Sequence, residues 1–224
     1  MTNKIRLSGM RSTIGTFIHV SSRINPIFLT ADIRAAALKQ YCSRRSLTYT
    51  PVLMKIIAGI KDTYPIINSI LGRDITLRQH IYLFNDVDMS ISIEKTVDGV
   101  RFVTTPLIRN VNRKTVTEIS EEVKLLARMP FHERPDVKPI LVFNRLPGFL
   151  KYLVLRVICR SHLLFRRFFG TIGFTNLGNL GIGYLYPHWL NTVVFGIGSL
   201  ENKPVAVNNT IEIVPVLPVT MAFN

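Results

Sequence analysis

The chain has 224 residues, enough for one domain or two small ones, and its 47% hydrophobic content excludes an intrinsically disordered protein. Its formal net charge of +14 favours an anionic partner, such as nucleic acid, an anionic membrane surface or a phosphorylated cofactor. The sequence contains no zinc-finger spacing, RNP-like run or helix-turn-helix signature, so it does not favour nucleic acid.

The cysteines and the apolar stretches bear on the cellular compartment. Cys42 and Cys159 are too few and too far apart in sequence for a disulfide framework or a metal-binding cluster. The first 20 residues lack the apolar core of a signal peptide, and we expect a reducing, cytoplasmic location. The longest apolar stretch, residues 149–165, is interrupted by Lys151, Arg156 and Arg160 and falls short of a predicted membrane span.

The first half of the chain predicts two helices and then a strand. Residues 30–42 are rich in alanine and predict a helix. Thr50 and Pro51 predict the N-cap and the first residue of a second helix. Residues 81–95 then alternate with period two, with Val and Ile on one side and Asp and Ser on the other. This alternation predicts a strand that is buried on one face only.

The second half of the chain predicts a hairpin, two helices and several short strands. Asp98 and Gly99 predict a hairpin turn with residues 100–109 as the return strand, and Thr115 with Glu118 predicts a capping box. Residues 139–169 mix apolar side chains with arginine and predict one long basic amphipathic helix. Further strands are predicted at residues 171–176, 192–198, 203–207, 211–214 and 219–223, with Asn208 and Asn209 as a tight turn. Since no repeat or linker is evident, we predict one α/β domain over residues 1–224.

Local motifs alone do not indicate a reaction. In the glycine-rich run at residues 170–183, Gly178 is not followed by the Lys-Ser/Thr of a P-loop, and the third glycine of a dinucleotide fingerprint is missing. The run therefore predicts a strand and turn whose glycines permit close backbone packing. No two histidines have metal-ligand spacing, so no metal is predicted, and His132 with Asp136 is interpreted as a surface loop.

Residues 85–127 (beginning NDVDMSISIEK) and 174–183 (FTNLGNLGIG), together with residues 7–33 and 191–224, carry a resemblance in order and spacing. They resemble the catalytic domain of the dihydrolipoamide acyltransferases of 2-oxo acid dehydrogenase complexes. The resemblance implies a chloramphenicol acetyltransferase-like fold, a two-layer α/β sandwich with a mixed sheet and packed helices, in a homotrimer. Residues 136–169 depart from the family pattern and are interpreted as a basic helical insertion, as in stand-alone members without lipoyl domains.

The same resemblance implies a chemistry and a set of site residues. In the family, a histidine deprotonates a thiol, and a hydroxyl from a neighbouring subunit stabilises the tetrahedral oxyanion as an acyl group moves between dihydrolipoamide and coenzyme A. Thr175 matches that hydroxyl, and Phe174, Asn176 and Gly178 around it match substrate-binding positions. Coenzyme A, as acyl-CoA, and a lipoyl-bearing or other acyl acceptor are the implied substrates, with no metal.

The carboxy-terminal residues raise a question about the general base. Asn224 matches the residue just before the histidine of the family's D-H-R-x-x-D-G motif, and the sequence stops there. We therefore expect a carboxy-terminally incomplete domain that is inactive or nearly so alone, with the base supplied by a complete partner chain. The alternative is an inactive homologue that acts as a trimeric scaffold or binds an anionic surface through residues 138–169. For those residues, a solvated face, a subunit contact or attraction of coenzyme A is favoured over a membrane site.

Overall fold

The computed structural model describes residues 9–22, 24–73, 76, 78–97, 100–134 and 136–224. Within these ranges the helices are α1 (Gly9–Ser21), α2 (Ala36–Arg45), α3 (Tyr49–Ile60), α4 (Val116–Arg128), α5 (Val137–Arg145), α6 (Gly148–Arg160) and α7 (His162–Phe169). The strands are β1 (Ile27–Arg34), β2 (Ser69–Arg73), β3 (Gln79–Leu83), β4 (Met89–Ile91), β5 (Ile93–Val97), β6 (Val100–Thr104), β7 (Leu107–Ile108), β8 (Ile172–Asn176), β9 (Val193–Ile197), β10 (Glu201–Val207) and β11 (Thr210–Phe223). Short 3₁₀ turns lie at Pro65–Asn68, Phe131–Glu133 and Gly178–Leu180.

The main sheet is mixed and has seven strands. Its order is β1-β11-β9-β8-β4-β7, and β10 pairs with β11 beside this path. Strand β8 runs parallel to both β4 and β9, whereas the other pairings in the sheet are antiparallel. Strands β2–β3 and β5–β6 form two separate hairpins. The predicted mixed α/β architecture is therefore confirmed.

Two apolar clusters hold the helices in place. The larger lies between one face of the sheet and helices α3 and α4, and it includes Leu53, Met54, Ile57, Met89, Ile91, Ile119, Ile172, Phe174, Val193, Phe195 and Ile197. The smaller joins α1, α6 and α7 to strand β2, and its buried members are Ile70, Leu155, Phe165, Phe169 and Leu190. Burial of these side chains is the main favourable term for folding, so the sheet is covered on one face by a helical layer, as predicted.

The two helices predicted near the amino-terminal end begin at other residues. Residues 30–34 belong to β1, because pairing with β11 outweighs their alanine content, and α2 begins only at Ala36. Helix α3 begins at Tyr49 with Thr48 as its N-cap, so the predicted cap at Thr50 is wrong by two residues. Thr50 lies within the first turn, and its hydroxyl is free to accept a hydrogen bond from elsewhere in the fold.

The prediction of one half-buried strand over residues 81–95 is also wrong. These residues are divided among β3, β4 and β5, and the polar residues Asp88 and Ser90 are as buried as their apolar neighbours. Strand β4 lies between β7 and β8 in the sheet, and all three of its residues are buried. The alternating pattern gave a wrong prediction because ion pairs, described below, compensate the cost of burying the Asp88 carboxylate.

Residues 139–169 form parts of three helices rather than one. Pro147 separates α5 from α6, since the residue before a proline is biased away from helical backbone. Ser161 separates α6 from α7 and caps α7 by accepting a hydrogen bond from the Leu164 amide at 3.4 Å. Among the described residues, no helix has the length and apolar character that crossing a bilayer requires.

The hairpin and capping predictions have different outcomes. The capping box of Thr115 and Glu118 is confirmed, and so is the turn at Asn208 and Asn209, whose φ angles are 47° and 65°. The two predicted strands around Pro218 are one continuous strand, β11, because an extended backbone tolerates proline and its carbonyl still accepts from the Gly198 amide at 2.9 Å. Strands β6 and β7 make the predicted return, whereas the turn predicted at residues 98–99 lies outside the described residues.

Candidate active site

Thr175 lies near the carboxyl end of β8, on the face opposite the main core. Side chains alternate along a strand, and Ile172 and Phe174 enter the apolar cluster, so Thr175 points to the other face. There it shares a row across the sheet with Gly196 of β9 and Thr220 of β11. Thr175 is half-buried, and its hydroxyl makes no hydrogen bond within the described part of the chain. It is therefore a donor available to a ligand.

The turn after β8 is held by the side chain of Asn176. Its amide nitrogen donates to the Thr50 hydroxyl of α3 at 2.9 Å, and its amide oxygen accepts from the Gly178 backbone at 2.8 Å. Both ends of the amide are thus occupied inside the protein. This arrangement positions the strand end that carries Thr175, and the substrate-binding roles of Phe174, Asn176 and Gly178 stay predictions.

Close backbone contacts form a wall beside Thr175. A side chain at Gly178 would lie 3.0 Å from the Asn176 amide oxygen and 3.1 Å from the Gly198 carbonyl. A side chain at Gly198 would overlap the Gly183 carbonyl oxygen. The Ser199 amide donates to the carbonyl of Ile182 at 2.7 Å, which fixes the segment against the sheet. The glycine-rich run therefore permits close backbone packing, as predicted.

Asn224, at the end of β11, lies in a polar environment. Its backbone amide donates to Thr192 at 2.9 Å, and its side-chain amide donates to the carbonyls of Trp189, at 2.8 Å, and Asn191. The Asn191 side chain is fully buried and donates to Phe169 at 3.0 Å. The Asn191 amide oxygen and the Trp189 indole nitrogen are buried with no partner among the described residues. Asn224 is therefore held by backbone carbonyls of the preceding segment, whose own side chains carry two buried polar atoms without a partner in the described part of the chain.

Thr175 and Asn224 do not meet within one chain. Thr175 lies level with Thr220 across the sheet, and Asn224 is four residues further along β11. At the rise of an extended strand, these four residues place Asn224 about 13 Å away along the strand direction. It also lies beyond the opposite end of β8, because β11 is antiparallel to β9. Within one chain, therefore, Thr175 and Asn224 are too far apart to contact the same atom of a ligand.

Sequence reasoning missed a buried charge cluster at the start of β8. The Asp88 carboxylate accepts from Arg166 at 2.8 Å and from Arg109 and the Asn110 backbone at 3.0 Å each. The Asp88 carbonyl accepts from the Thr171 amide at 2.7 Å and from its hydroxyl at 3.1 Å. The cluster ties α7 to the first residues of β8. The alternating pattern of residues 81–95 predicted that Asp88 would be exposed, whereas the structure buries it. The sequence pattern alone therefore gave no sign of the cluster.

Metal chemistry finds no support in the geometry. Across the described ranges, no three histidine, cysteine, aspartate or glutamate side chains lie close enough to hold a metal ion. The polar group that this end of β8 offers is instead the hydroxyl of Thr175, since the nearby amides of Leu177 and Gly178 donate within the protein. Such a group suits hydrogen-bond donation to a developing oxyanion.

The fold of this chain is shared with acetyltransferases of known structure. The chain is similar to Azotobacter vinelandii dihydrolipoamide acetyltransferase, with a TM-score of 0.70 and 14% identity over 100% of this chain and 83% of that chain. That protein was studied for the role of a serine, a histidine and an asparagine in its catalytic mechanism. This chain is also similar to the cubic core of a pyruvate dehydrogenase multienzyme complex, with a TM-score of 0.70 and 15% identity over 99% of this chain and 83% of that chain. Its similarity to chloramphenicol acetyltransferase has a TM-score of 0.51 and 12% identity over 94% of this chain and 85% of that chain. The predicted chloramphenicol acetyltransferase-like fold is therefore confirmed.

The sequence comparisons identify the family. The profile of the 2-oxoacid dehydrogenases acyltransferase (catalytic domain) matches residues 1–130, and the chain belongs to this family. Among curated relatives, the dihydrolipoyllysine-residue acetyltransferase component of the pyruvate dehydrogenase complex is 26% identical in Mycoplasma genitalium, over 97% of this chain and 51% of the relative. The same component of Acholeplasma laidlawii is 24% identical over 80% of this chain and 27% of the relative. The chain thus spans about half or less of the length of these relatives.

Proposed function

We propose that these residues form the catalytic domain of a coenzyme-A-dependent acyltransferase that exchanges an acyl group with a dihydrolipoamide-like thiol. The observation that carries the proposal is the Thr175 hydroxyl, which has no partner within the described ranges and lies at the end of β8, where the family resemblance expects a donor. The net charge of +14 supports it further, because the phosphates of coenzyme A are anionic. We also propose that residues 1–224 act as one domain with residues 136–169 as an insertion.

The proposed reaction needs a thiolate and a stabilised oxyanion. A base removes the proton of the accepting thiol, and the thiolate sulfur attacks the carbonyl carbon of the acyl thioester. A new carbon–sulfur bond forms, and the negative charge moves to the carbonyl oxygen, to which Thr175 donates a hydrogen bond. Collapse of this intermediate breaks the original carbon–sulfur bond, and the departing sulfur takes up the proton. One such donor is worth about 3–4 kcal/mol of barrier.

We place the base at the Asn224 end of β11 in a neighbouring subunit. The separation of about 13 Å along the strand direction supports a site shared between subunits, which fits the proposed homotrimer. The base would come from a partner chain that carries the histidine of the family motif.

Acyl transfer from acetyl-CoA to dihydrolipoamide tests the proposal in the natural polypeptide that contains residues 1–224. Thr175→Ala should lower kcat by roughly 100- to 1,000-fold, whereas Thr175→Ser should retain most of it, because removing one oxyanion donor has about this effect. Thr117→Ala, at an exposed hydroxyl on α4, is the matched control. Thermal unfolding should show that all three variants fold.

The outcomes separate the components of the proposal. Equal turnover of Thr175→Ala and the natural sequence would remove Thr175 from the site. Absence of acyl transfer by the natural polypeptide would instead favour an inactive trimeric scaffold.

A further inference from the structure

Helices α5, α6 and α7 present large apolar side chains to solvent at helical spacing. On α6, Phe149, Leu153 and Val157 follow one another at intervals of four residues. The exposed fractions on the three helices are 71% for Phe149, 66% for Leu163, 64% for Val142, 55% for Leu153 and 50% for Val157. We call these five residues, with Lys138, Arg145, Arg156, Arg160 and Arg167, the outer helical face.

The outer helical face is exposed although the helices that carry it are firmly packed. The opposite stripe of α6 buries Leu155, and α7 buries Phe165 and Phe169 in the smaller apolar cluster. Lys151 of α6 is also buried and donates to the Thr13 hydroxyl of α1 at 3.2 Å. The buried sides of α6 and α7 therefore already supply the apolar contacts that hold these helices, and the apolar residues of the outer helical face are not needed for that purpose.

The charge of the outer helical face has one sign. No aspartate or glutamate occurs between Asp136 and Glu201 in the sequence. All five basic side chains of the face are exposed, and none makes an ion pair within the part of the chain that the structure describes. Arg166, which points inward to Asp88, is by contrast paired. The face thus combines unneutralised positive charge with apolar side chains.

A shallow recess adjoins two of these arginines. It measures about 170 Å³ and lies between α1 and α6, lined by Val20, Tyr152, Arg156, Cys159 and Arg160. Its walls are mostly apolar, and Arg156 and Arg160 are among the residues that line it. Apolar surface and basic side chains therefore adjoin each other at this edge of the face.

We propose that the outer helical face docks the protein in the plane of a lipid bilayer that contains anionic phospholipids. Helices of this kind bind at the interface because apolar side chains enter the boundary of the acyl region while basic side chains meet anionic headgroups. The long stems of arginine and lysine let their charges reach the headgroups beside inserted apolar residues.

Two other occupants fit the face less well. A second copy related by a two-fold axis would bring arginines against arginines, since the face contains no acidic residue to pair with them. A three-fold trimer would need an acidic surface elsewhere on the chain to meet the face, and the chain has 14 acidic residues against 28 basic ones. Nucleic acid would be held through its phosphates by the basic side chains, which leaves five exposed apolar side chains without a role. The bilayer uses both components, and the inference is independent of the proposed acyl transfer.

Vesicle flotation of the 224-residue chain tests the proposal. The protein should float with vesicles of 70% phosphatidylcholine and 30% phosphatidylserine, and much less with phosphatidylcholine alone. Each basic side chain near such a surface contributes about a fivefold factor, so Arg156→Gln with Arg160→Gln should weaken partitioning by roughly 30-fold. Equal binding of the wild type to neutral and anionic vesicles, or no binding to either, would overturn the proposal.

Matched variants separate this face from the overall charge and hydrophobicity of the protein. Lys39→Gln with Arg44→Gln removes two exposed charges from α2 and should change partitioning far less than the α6 pair. Ile211→Ser with Ile213→Ser removes two exposed isoleucines from β11 and should leave partitioning unchanged. If either control pair lost as much binding as the α6 pair, the outer helical face would not be the docking surface.

A fluorescence measurement checks insertion without disrupting the face. Phe149→Trp places an indole on the outer helical face, and Trp189, packed on Phe17, serves as the internal reference. Vesicles with brominated acyl chains should quench the fluorescence of the variant and leave that of the wild type nearly unchanged. Absence of extra quenching would contradict insertion. If Leu153→Ser instead dissociated an oligomer in sedimentation and left flotation unchanged, the face would be a contact between copies.

Discussion

Replacement of Asp88 by asparagine tests whether the buried charge cluster organises the start of β8. Asparagine keeps the shape of the side chain but removes its charge, and one of its two terminal atoms becomes an NH₂ donor. In the structure both carboxylate oxygens accept hydrogen bonds, one from Asn110 and the other from Arg109 and Arg166. Whichever way the asparagine amide is turned, its NH₂ group therefore faces either the N–H of Asn110 or the N–H groups of the two arginines.

The loss of stability depends on how well Arg109 and Arg166 are hydrated once the carboxylate has been removed. Removing one partner of a fully buried ion pair costs about 3–5 kcal/mol. Asp88 is 3% exposed, but Arg109 and Arg166 are 40% and 29% exposed and are partly solvated once released. We therefore expect a loss of about 2–3 kcal/mol in the free energy of unfolding, because the arginines retain part of their hydration. In a chain of this size the midpoint of thermal unfolding should fall by roughly 4–12 °C.

The assay is urea unfolding followed by circular dichroism, at one protein concentration for all variants. Asp86→Asn is the matched control, since Asp86 lies two residues away and pairs with Arg113, which is 68% exposed. An exposed pair of this kind should contribute less than about 1 kcal/mol. The reasoning is refuted if Asp88→Asn lies within about 0.5 kcal/mol of the wild type, or if the two variants lose the same stability.

Three further predictions concern other buried features. Gly198→Ala should destabilise the fold severely or prevent folding, because the added methyl group would overlap the Gly183 carbonyl oxygen. Gly183→Ala should be well tolerated, because a side chain there meets open space. Equal unfolding midpoints for the two variants would contradict the packing argument. Arg134 is fully buried and donates to both oxygens of Asp136 at 3.0 and 2.6 Å, so Arg134→Lys should cost about 1–3 kcal/mol in urea unfolding, because lysine lacks the planar fork. Burial raises the pKa of the Cys159 thiol from 9.0 to about 11, so its alkylation in the folded protein should be slow at pH 8, with roughly one thiol in a thousand ionised. Because the folded pKa is the higher one, this thiol contributes stability that is present below pH 9 and lost as the pH rises through 11; a Cys159→Ser variant with the same alkaline loss would contradict the assignment.

Patterns governed by local chemistry predicted the fold well where neighbours in sequence are also neighbours in space. The capping box at Thr115 and the turn at Asn208 are satisfied by atoms within a few residues. The sequence predicted poorly where a distant partner decides. Residues 30–34, the beginning of the segment that was predicted to be helical, form a strand because β11 pairs with them, and Asp88 is buried because Arg109 and Arg166 are brought to it by other elements.

The candidate site divides in the same way. The family resemblance located Thr175 and Asn224, and the sheet register then showed that they lie apart in one chain. No local pattern could have supplied the tie between Asn176 and Thr50, since 126 residues separate them. Likewise, the periodicity of residues 139–169 indicated amphipathic helix but could not reveal which apolar residues stay uncovered, because that depends on the elements packed against it.

The pairing of β1 with β11 has a consequence for how the chain folds as it is made. Thr30 pairs with Thr220, and among the described strands β1 has no other partner. A ribosome adding about 5–20 residues per second needs roughly 10–40 s to make the intervening stretch. Throughout this interval, an emerging segment that includes Ile27, Leu29 and Ile33 has no strand to join. The chain must therefore remain soluble with an unmatched apolar strand until Thr220 and its neighbours in β11 have been made, and a chaperone that binds extended apolar segments would find it during that delay.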